Sequence, residues 1–179
     1  MRRSILRKAA IDCLEAMRAN GLRLATAESC TGGLISGWLT EIPGSSDILD
    51  RTFVTYSNAA KTEMLGVPAD MLESKGAVSD EVARAMAEGA LKRAGVDLAV
   101  SATGIAGPGG ETEDKAVGLV YIGLAGRGIA TDATCHLMPG DREDVRSATV
   151  LEALERLTDA AQRPGTWVSE RSAAARGAA

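Results

Sequence analysis

Residues Asp97-Leu-Ala-Val-Ser-Ala-Thr103 form a short and almost continuously apolar run that ends at a glycine. Such a run is typical of a β-strand that is covered on both faces. Segments with apolar residues at helical spacing alternate with further strand-like segments along the rest of the chain. The predicted helices are residues 4–18, 31–42, 58–65 and 79–94, together with a short helix that has Pro68 in its first turn and a last helix that Asp141 caps. The predicted strands are residues 22–27, 51–56, 97–103, 117–125 and 129–137.

Helices that alternate with strands, closed by a hairpin between the last two strands, predict an α/β protein. We expect a three-layer α/β/α sandwich on a mixed sheet. A chain of 179 residues is long enough for one domain with a substantial core, which we place at residues 1–163. Residues 164–179 are rich in Ser, Ala, Arg and Gly, and we expect them to form a mobile tail.

Composition and charge exclude two classes of partner. The 20 Lys and Arg residues against 24 Asp and Glu leave a net charge of −4, so the basic excess that neutralises nucleic-acid phosphates is missing. Aromatic residues make up only 3% of the chain, too few for a base-stacking surface. Because no apolar run reaches membrane-spanning length either, we expect neither nucleic-acid nor membrane partners.

The cysteine and histidine content restricts the possible chemistry. Cys13, Cys30 and Cys135 are odd in number, and their spacing fits neither a disulfide framework nor a zinc site, so we predict a reduced, cytoplasmic protein. A single histidine, His136, excludes a multi-histidine metal site, and any Ser-His-Asp triad has to use it. We predict no metal and no cofactor.

The first candidate site is Ala25-Thr-Ala-Glu-Ser-Cys-Thr-Gly-Gly33, where a strand is predicted to end and a helix to begin. Unpaired N–H groups and the partial positive charge of a helix start can stabilise an oxyanion. Ser29 and Cys30 are the candidate nucleophiles, and Thr31 is the predicted helix cap. A capped helix with glycines for tight packing accounts for the same residues without catalysis.

The second candidate is Thr55-Tyr-Ser-Asn-Ala-Ala-Lys61. Asn58 and Lys61 share a face of the first helical turn, and Tyr56 lies at the strand-to-helix junction. The positive end of the helix dipole disfavours a charged lysine there, which lowers its pKa and lets it act as a general base. The alternative is an ordinary surface lysine.

Two further segments are candidates for anion binding. The loop Ser101-Ala-Thr-Gly-Ile-Ala-Gly-Pro-Gly-Gly110 allows close approach of backbone to a ligand, although it matches neither the phosphate-binding loop of nucleoside triphosphatases nor the dinucleotide fingerprint. Arg142 and Arg146 are four residues apart on one helix, so both can reach toward one anion. The alternatives are a plain connection and a solvated charged face.

Five of these segments, taken together, carry a family pattern. They are Thr26-Ala-Glu-Ser-Cys-Thr-Gly-Gly33, Val54-Thr-Tyr-Ser-Asn-Ala-Ala-Lys61, Gly76-Ala-Val-Ser79, Thr103-Gly-Ile-Ala-Gly-Pro108 and Gly140-Asp-Arg142. In this order they resemble the C-terminal domain of the CinA family, over residues from about 5 to 160. Stand-alone members of that family are nicotinamide-nucleotide amidohydrolases, which convert nicotinamide mononucleotide and water into nicotinate mononucleotide and ammonia. The resemblance implies this activity, a pyridine mononucleotide as the partner, and a homodimer.

The resemblance also implies roles for individual residues. Ser29 matches the serine nucleophile and Lys61 the lysine base, which agrees with the lack of a suitable histidine. N–H groups from Thr31 to Gly33 are expected to hold the oxyanion, and the glycine-rich loop and Arg142 to meet the phosphate. The implied substrate-binding residues are Cys30, Thr31, Gly32, Gly33, Tyr56, Asn58, Thr103, Gly104, Gly107 and Arg142.

One segment departs from the family pattern, and two alternatives remain. Glu111, Glu113 and Ala116 stand where the family commonly has a glycine and two prolines, so we expect a looser and more acidic distal loop. The first alternative is a non-catalytic nucleotide-binding or protein-interaction module on the same fold. The second is a cysteine hydrolase that uses Cys30, because helix N-termini lower thiol pKa values.

Overall fold

The computed structural model describes residues 2–163 of the chain. Helices and strands alternate through most of these residues. The helices are α1 (Arg2–Ala19), α2 (Leu34–Thr40), α3 (Asn58–Leu65), α4 (Ala69–Lys75), α5 (Asp80–Ala94) and α6 (Arg142–Gln162), and the strands are β1 (Leu24–Glu28), β2 (Leu49–Val54), β3 (Leu98–Gly104), β4 (Leu119–Gly126) and β5 (Ile129–Leu137). The segment predicted as a tail, residues 164–179, lies outside the described residues.

The five strands form one mixed sheet in the order β2-β1-β3-β4-β5. Strands β2, β1 and β3 run parallel, whereas β4 is antiparallel to both β3 and β5. Parallel strands end at the same edge of a sheet, so the segments that follow Glu28, Val54 and Gly104 converge there. Open α/β sheets bind their ligands at this edge.

Helices cover both faces of the sheet, as the apolar strand β3 predicted. Helices α1, α2 and α6 pack on one face around Leu14, Ile35 and Leu154, and α3, α4 and α5 pack on the other around Val82 and Met86. The prediction of a three-layer α/β/α sandwich on a mixed sheet is confirmed.

Local signals located most elements correctly. The side chains of Ser57 and Ser79 accept backbone N–H groups at the starts of α3 and α5. Asp141 accepts the N–H groups of Glu143 and Asp144 at the start of α6, in a reciprocal capping box with Asp144. The sequence predicts caps at Ser79 and Asp141 and at either Ser57 or Asn58, because a cap depends on residues within one turn of each other.

Two predicted helix starts are wrong. Helix α2 begins at Leu34 rather than near Thr31, and its N-cap is Gly33, with φ 97°. The first amides of α2 are bound by the side chain of Glu28, so no cap from Thr31 is needed. Pro68 precedes α4 as its N-cap instead of lying within the first turn. None of the helices between residues 2 and 163 combines the length and apolar character that crossing a membrane requires.

Candidate active site

A cleft of about 390 Å³ lies at the carboxyl edge of the parallel strands. Its walls come from the segments after β1, β2 and β3, together with the first residue of α6. Among the predicted site residues, those that line it are Ser29, Cys30, Tyr56, Asn58, Lys61, Thr103, Gly104, Gly107 and Arg142. A larger cavity of about 540 Å³ lies between α1 and α6 and contains none of the predicted site residues.

Ser29 and Lys61 meet in this cleft, although 32 residues separate them in the chain. The Nζ atom of Lys61 lies 3.0 Å from the Oγ atom of Ser29. Ser29 follows β1 directly, and its backbone N–H donates to the carbonyl of Ala102 in the neighbouring strand β3. Lys61 lies one turn into α3, so the ends of two adjacent strands bring the two side chains together.

Lys61 is buried, with only 1% of its surface exposed. Its Nζ atom contacts the Ser29 hydroxyl and donates to the backbone carbonyl of Thr55, at 2.9 Å. No carboxylate is among these contacts. Burial penalises the charged form and lowers the pKa of Lys61 from its usual 10.5, while nearby Cys30 acts weakly in the opposite direction. The cause is therefore mainly desolvation, and the helix dipole that the sequence suggested is not needed to explain it.

The turn between Ser29 and Gly33 differs from the expected oxyanion site. The N–H of Gly33 donates to the Glu28 carboxylate at 2.9 Å, and that of Gly32 donates to the Ser29 carbonyl at 3.1 Å. Neither N–H is available to a substrate, and Thr31, Gly32 and Gly33 do not line the cleft. The expectation that these glycine N–H groups hold the oxyanion is therefore corrected.

The N–H of Cys30 is the backbone donor of this turn that remains beside the cleft. Cys30 lines the cleft, and in the described part of the chain no carbonyl or carboxylate accepts its N–H, which lies close to its own thiol. The N–H of Thr31 also has no carbonyl or carboxylate partner among these residues, but Thr31 is fully buried and does not line the cleft. The Cys30 N–H directly follows the nucleophile candidate, which is a common position for oxyanion donors.

Cys30 lies beside Ser29 but is unsuited to be the nucleophile. Its side chain is buried, and this burial raises the pKa of the thiol to about 11. The N–H groups of Cys30 and Thr31 and the charge of Lys61 lower the pKa by less than burial raises it. A thiolate is the reactive form of cysteine, so the geometry disfavours the cysteine-hydrolase alternative.

The glycine-rich loop forms the wall opposite Ser29. The Thr103 hydroxyl donates to the Ala77 carbonyl at 2.7 Å, so its proton is not available to a substrate. Gly104 packs so closely on β4 that an added Cβ would lie 2.7 Å from the Leu119 carbonyl oxygen. Gly107 has φ 74°, which a side chain would strain. Within residues 2–163, the N–H groups of Ala106 and Gly107 donate to no backbone carbonyl, so they are open to an anion.

Tyr56 and Arg142 form the rim of the cleft. The guanidinium of Arg142 donates to the Gly107 carbonyl at 2.6 Å and to the Tyr56 hydroxyl at 3.1 Å. Tyr56 is 63% exposed, and its ring is the one aromatic surface among the residues that line the cleft. Asn58 also lines the cleft, on the first turn of α3.

Two residues have roles that the sequence did not predict. Arg146 does not join Arg142 at an anion site, because it donates to the Thr31 carbonyl at 2.8 Å and lies outside the cleft. Glu28 was not singled out, yet its fully buried carboxylate organises the turn after β1. The signal that could have found it is a charged residue at the end of an otherwise apolar, fully covered strand.

The described residues contain no cluster of three or more His, Cys, Asp and Glu side chains arranged to hold a metal ion. His136 lies on β5 with its Nε2 atom 2.7 Å from the Thr134 hydroxyl, and it does not line the cleft. The cleft therefore offers a serine, a buried amine, backbone donors and one guanidinium. Such a set is suited to acyl transfer.

Curated relatives are identical to this chain at about half of the positions in the segments that match. A CinA-like protein of Akkermansia muciniphila is 51% identical over 142 residues, which is 79% of this chain and 34% of the relative. A CinA-like protein of Chlorobium phaeobacteroides is 55% identical over 126 residues, or 68% of this chain and 30% of the relative. The chain thus spans about a third of the length of these relatives.

Solved structures share the fold over nearly their whole length. The competence/damage inducible protein CihA of Agrobacterium tumefaciens is 45% identical, with a TM-score of 0.85 over 89% of this chain and 96% of that structure. The competence damage-inducible protein A of Klebsiella pneumoniae is 34% identical, with a TM-score of 0.83 over 86% and 95%. The sequence model of the CinA C-terminal domain matches residues 6–161. This chain therefore belongs to the CinA family.

Proposed function

We propose that the chain is an amidohydrolase that converts nicotinamide mononucleotide and water into nicotinate mononucleotide and ammonia. The observation that carries the proposal is the 3.0 Å contact between the Ser29 hydroxyl and the Nζ atom of a lysine that is 1% exposed. A serine needs an adjacent base to act as a nucleophile, and a desolvated lysine is a base that can replace histidine. The choice of a nicotinamide nucleotide as substrate rests on what the resemblance of the five sequence segments implies.

The hydrogen bonds of Lys61 orient its amine for base catalysis. The Thr55 carbonyl can only accept, so Lys61 must donate one N–H to it. The lone pair of a neutral amine is then available to accept the proton of the Ser29 hydroxyl, which is the second contact of the Nζ atom. Burial favours this neutral form because it lowers the pKa of Lys61.

In the acylation step, the Ser29 Oγ atom attacks the carboxamide carbon while its proton passes to Lys61. The carbonyl π bond opens, and the oxyanion accepts a hydrogen bond from the N–H of Cys30. The resulting ammonium of Lys61 gives its proton to the amide nitrogen as the carbon–nitrogen bond breaks. Ammonia leaves, and the nicotinoyl group remains on Ser29 as an ester.

In the deacylation step, a water molecule takes the place of ammonia. Lys61 accepts a proton from this water as its oxygen attacks the ester carbon. The same proton then returns to the Ser29 Oγ atom when the carbon–oxygen bond breaks. Nicotinate mononucleotide leaves, and both side chains are restored to their starting protonation states.

Residues at the rim of the cleft bind the nucleotide in this proposal. Arg142 is the one basic side chain besides Lys61 among the lining residues, and it lies on the first residue of α6. Together with the open N–H groups of Ala106 and Gly107, it can bind the phosphate. The ring of Tyr56 can stack on the positively charged pyridinium ring.

The proposal is tested by measuring ammonia release from nicotinamide mononucleotide. We expect the wild type to release ammonia and Ser29→Ala and Lys61→Met each to lose at least about 1000-fold in kcat, because each removes one half of the nucleophile and base pair. Cys30→Ala is the matched control for Ser29→Ala and is expected to stay within a few-fold of the wild type.

The competing functions predict other outcomes. A wild type that is stabilised by the nucleotide in a thermal-shift assay but releases no ammonia would support a binding module. Loss of turnover in Cys30→Ala with retention in Ser29→Ala would support a cysteine hydrolase.

A further inference from the structure

Glu28 is a fully buried carboxylate that the catalytic steps above do not use. It is the last residue of β1 and directly precedes Ser29. Its Oε1 atom accepts the Thr26 hydroxyl at 3.1 Å and the N–H of Ser36 at 3.0 Å. Its Oε2 atom accepts the N–H groups of Gly33 at 2.9 Å and Ile35 at 3.1 Å.

These four donors are one hydroxyl and three backbone amides, and none is a basic side chain. Burying a carboxylate without a cationic partner is costly unless its lone pairs are fully used by hydrogen bonds. Here each carboxylate oxygen accepts two hydrogen bonds. The NH2 group of a glutamine cannot accept a hydrogen bond, so it could not replace either oxygen. A leucine at this position would fill the same core but would leave the amides of this turn without their acceptor, so the purpose of the carboxylate is to bind the turn.

The turn that contains Ser29 is closed into a ring by the hydrogen bonds of the Glu28 side chain. The backbone leaves β1 at Glu28, passes through Ser29 to Gly33, and is tied back to the Glu28 side chain at the first turn of α2. Two further bonds brace the ring, from Ser29 N–H to Ala102 and from Arg146 to the Thr31 carbonyl. Ser29 is part of this ring, so its backbone is held on both sides.

The same bonds decide which amides are left for the substrate. The carboxylate occupies the N–H groups of Gly33, Ile35 and Ser36, which would otherwise be unpaired at the start of α2. The N–H of Cys30, next to Ser29 in the cleft, is not among the amides that the carboxylate occupies. A turn released from Glu28 would let this group rotate away from the position of the oxyanion.

We propose that Glu28 is a positioning residue, which holds the Ser29 hydroxyl against Lys61 and the Cys30 amide toward the cleft. This inference rests on the proposed function for the identity of the reaction, but not for the reactivity of Ser29. Glu28 touches neither the nucleophile nor the substrate, so its removal acts on kcat rather than on KM.

The substitution that tests it is Glu28→Gln in the full chain. Glutamine has one acceptor oxygen, so two of the four bonds are lost and an NH2 group faces amide donors. We expect kcat for ammonia release to fall about 10- to 100-fold while KM stays within threefold. The rate at which a fluorophosphonate modifies Ser29, with fluoride leaving and the Ser29 proton passing to Lys61, is expected to fall by a similar factor.

The matched control is Thr149→Val in α6. Thr149 is also fully buried, and its hydroxyl donates to the Val145 carbonyl at 2.7 Å, away from the cleft. Loss of this hydroxyl is expected to lower Tm. It is expected to leave kcat and the labelling rate, both measured well below Tm, within twofold of the wild type. If Glu28→Gln behaves like this control, with a lower Tm and unchanged kcat and labelling, the carboxylate is a structural cap and the proposal is overturned.

Labelling separates this proposal from the proposed function, because it needs no nucleotide. A wild type that is labelled at Ser29 but releases no ammonia contradicts the function, and the labelling ratio still decides the role of Glu28. A wild type that is not labelled at Ser29 overturns the role of Glu28 as well. If Glu28→Gln does not fold, Thr26→Val removes one donor to the carboxylate: a labelling rate at least threefold lower supports the proposal, and an unchanged rate refutes it.

Discussion

The guanidinium of Arg142 donates to the hydroxyl of Tyr56 across 86 residues of sequence. The same side chain donates to the Gly107 carbonyl, so one cation joins the segment after β2, the glycine-rich loop and the start of α6. Both partners are neutral acceptors. Neither partner cancels the positive charge of Arg142, which lies at the rim of the cleft, where the proposed function would place the phosphate.

Arg142→Ala is expected to weaken phosphate recognition specifically. A hydrogen bond to a charged group contributes about 1.5–3 kcal/mol, so KM for nicotinamide mononucleotide should rise roughly 10- to 100-fold. Steady-state kinetics with the mononucleotide and with the riboside, which lacks the phosphate, separate the contribution of Arg142 to phosphate binding from its contribution to binding the rest of the substrate. Tyr56→Phe is the control, because it removes the acceptor of the guanidinium and keeps the charge. An equal loss with both substrates would show that Arg142 does not bind the phosphate.

The pH dependence of turnover should report the protonation of Lys61. Only the neutral amine can accept the Ser29 proton, and burial lowers the pKa of Lys61 below 10.5. We expect kcat/KM to rise with pH as Lys61 loses its proton and to reach a plateau, with the midpoint below 10.5. A profile with no ascending limb below that pH would contradict the role of Lys61 as the base.

The stability of the fold should also depend on pH through Lys61. The lowered pKa means that the unfolded chain binds more protons than the folded one between the folded value and 10.5. The free energy of unfolding therefore rises with pH across this window, by at most about 1.4 kcal/mol per pH unit. Above pH 10.5 Lys61 contributes no further increase. Urea unfolding of Lys61→Met should lack this increase.

The control for that experiment is Lys92→Met, which removes one positive charge at an exposed position of α5. It is expected to keep the pH dependence of the wild type. If the wild type and Lys61→Met changed in parallel with pH, the amine would not be held neutral by burial.

The three cysteines should differ in their reactivity toward iodoacetamide. Burial raises the pKa of the Cys13 thiol to about 12 and that of Cys30 to about 11, whereas Cys135 is exposed. Mass spectrometry at pH 7.5 should show alkylation of Cys135 first, with Cys13 and Cys30 protected and turnover unchanged. Rapid alkylation of Cys30 with matching loss of activity would revive the cysteine-hydrolase alternative.

Gly89 should be required for the placement of α3, which carries Lys61. An added Cβ at this position in α5 would lie 2.2 Å from the Leu65 carbonyl oxygen at the end of α3. Gly89→Ala is expected to destabilise the fold by about 1–3 kcal/mol and to lower kcat by displacing α3. Gly37→Ala in α2 is the control, because nothing lies within 4 Å of its Cβ, and it should stabilise by about 0.5–1 kcal/mol. Equal stability of the two variants in thermal unfolding would contradict this.

The residues alone left Ser29 and Lys61 as unrelated candidates, and only the family resemblance paired them. Ser29 was one of two nucleophiles next to a predicted turn, and Lys61 was one lysine on a helix start. Their 3.0 Å contact depends on β1 and β2 being adjacent and parallel, which short-range patterns do not specify. Thr31 failed as a cap for the same reason, since Glu28 satisfies the amides that Thr31 was expected to satisfy.

The sequence by itself determined the alternation of helices and strands, the hairpin of β4 and β5, and the caps at Ser79 and Asp141. Each of these depends on hydrophobic periodicity or on groups within one turn of the chain. Only the tertiary structure decided that Lys61 is buried, that Cys30 has a raised pKa, and that Glu28 binds the turn after β1. Desolvation and long-range hydrogen bonds arise from neighbours distant in sequence, so no local pattern carries them.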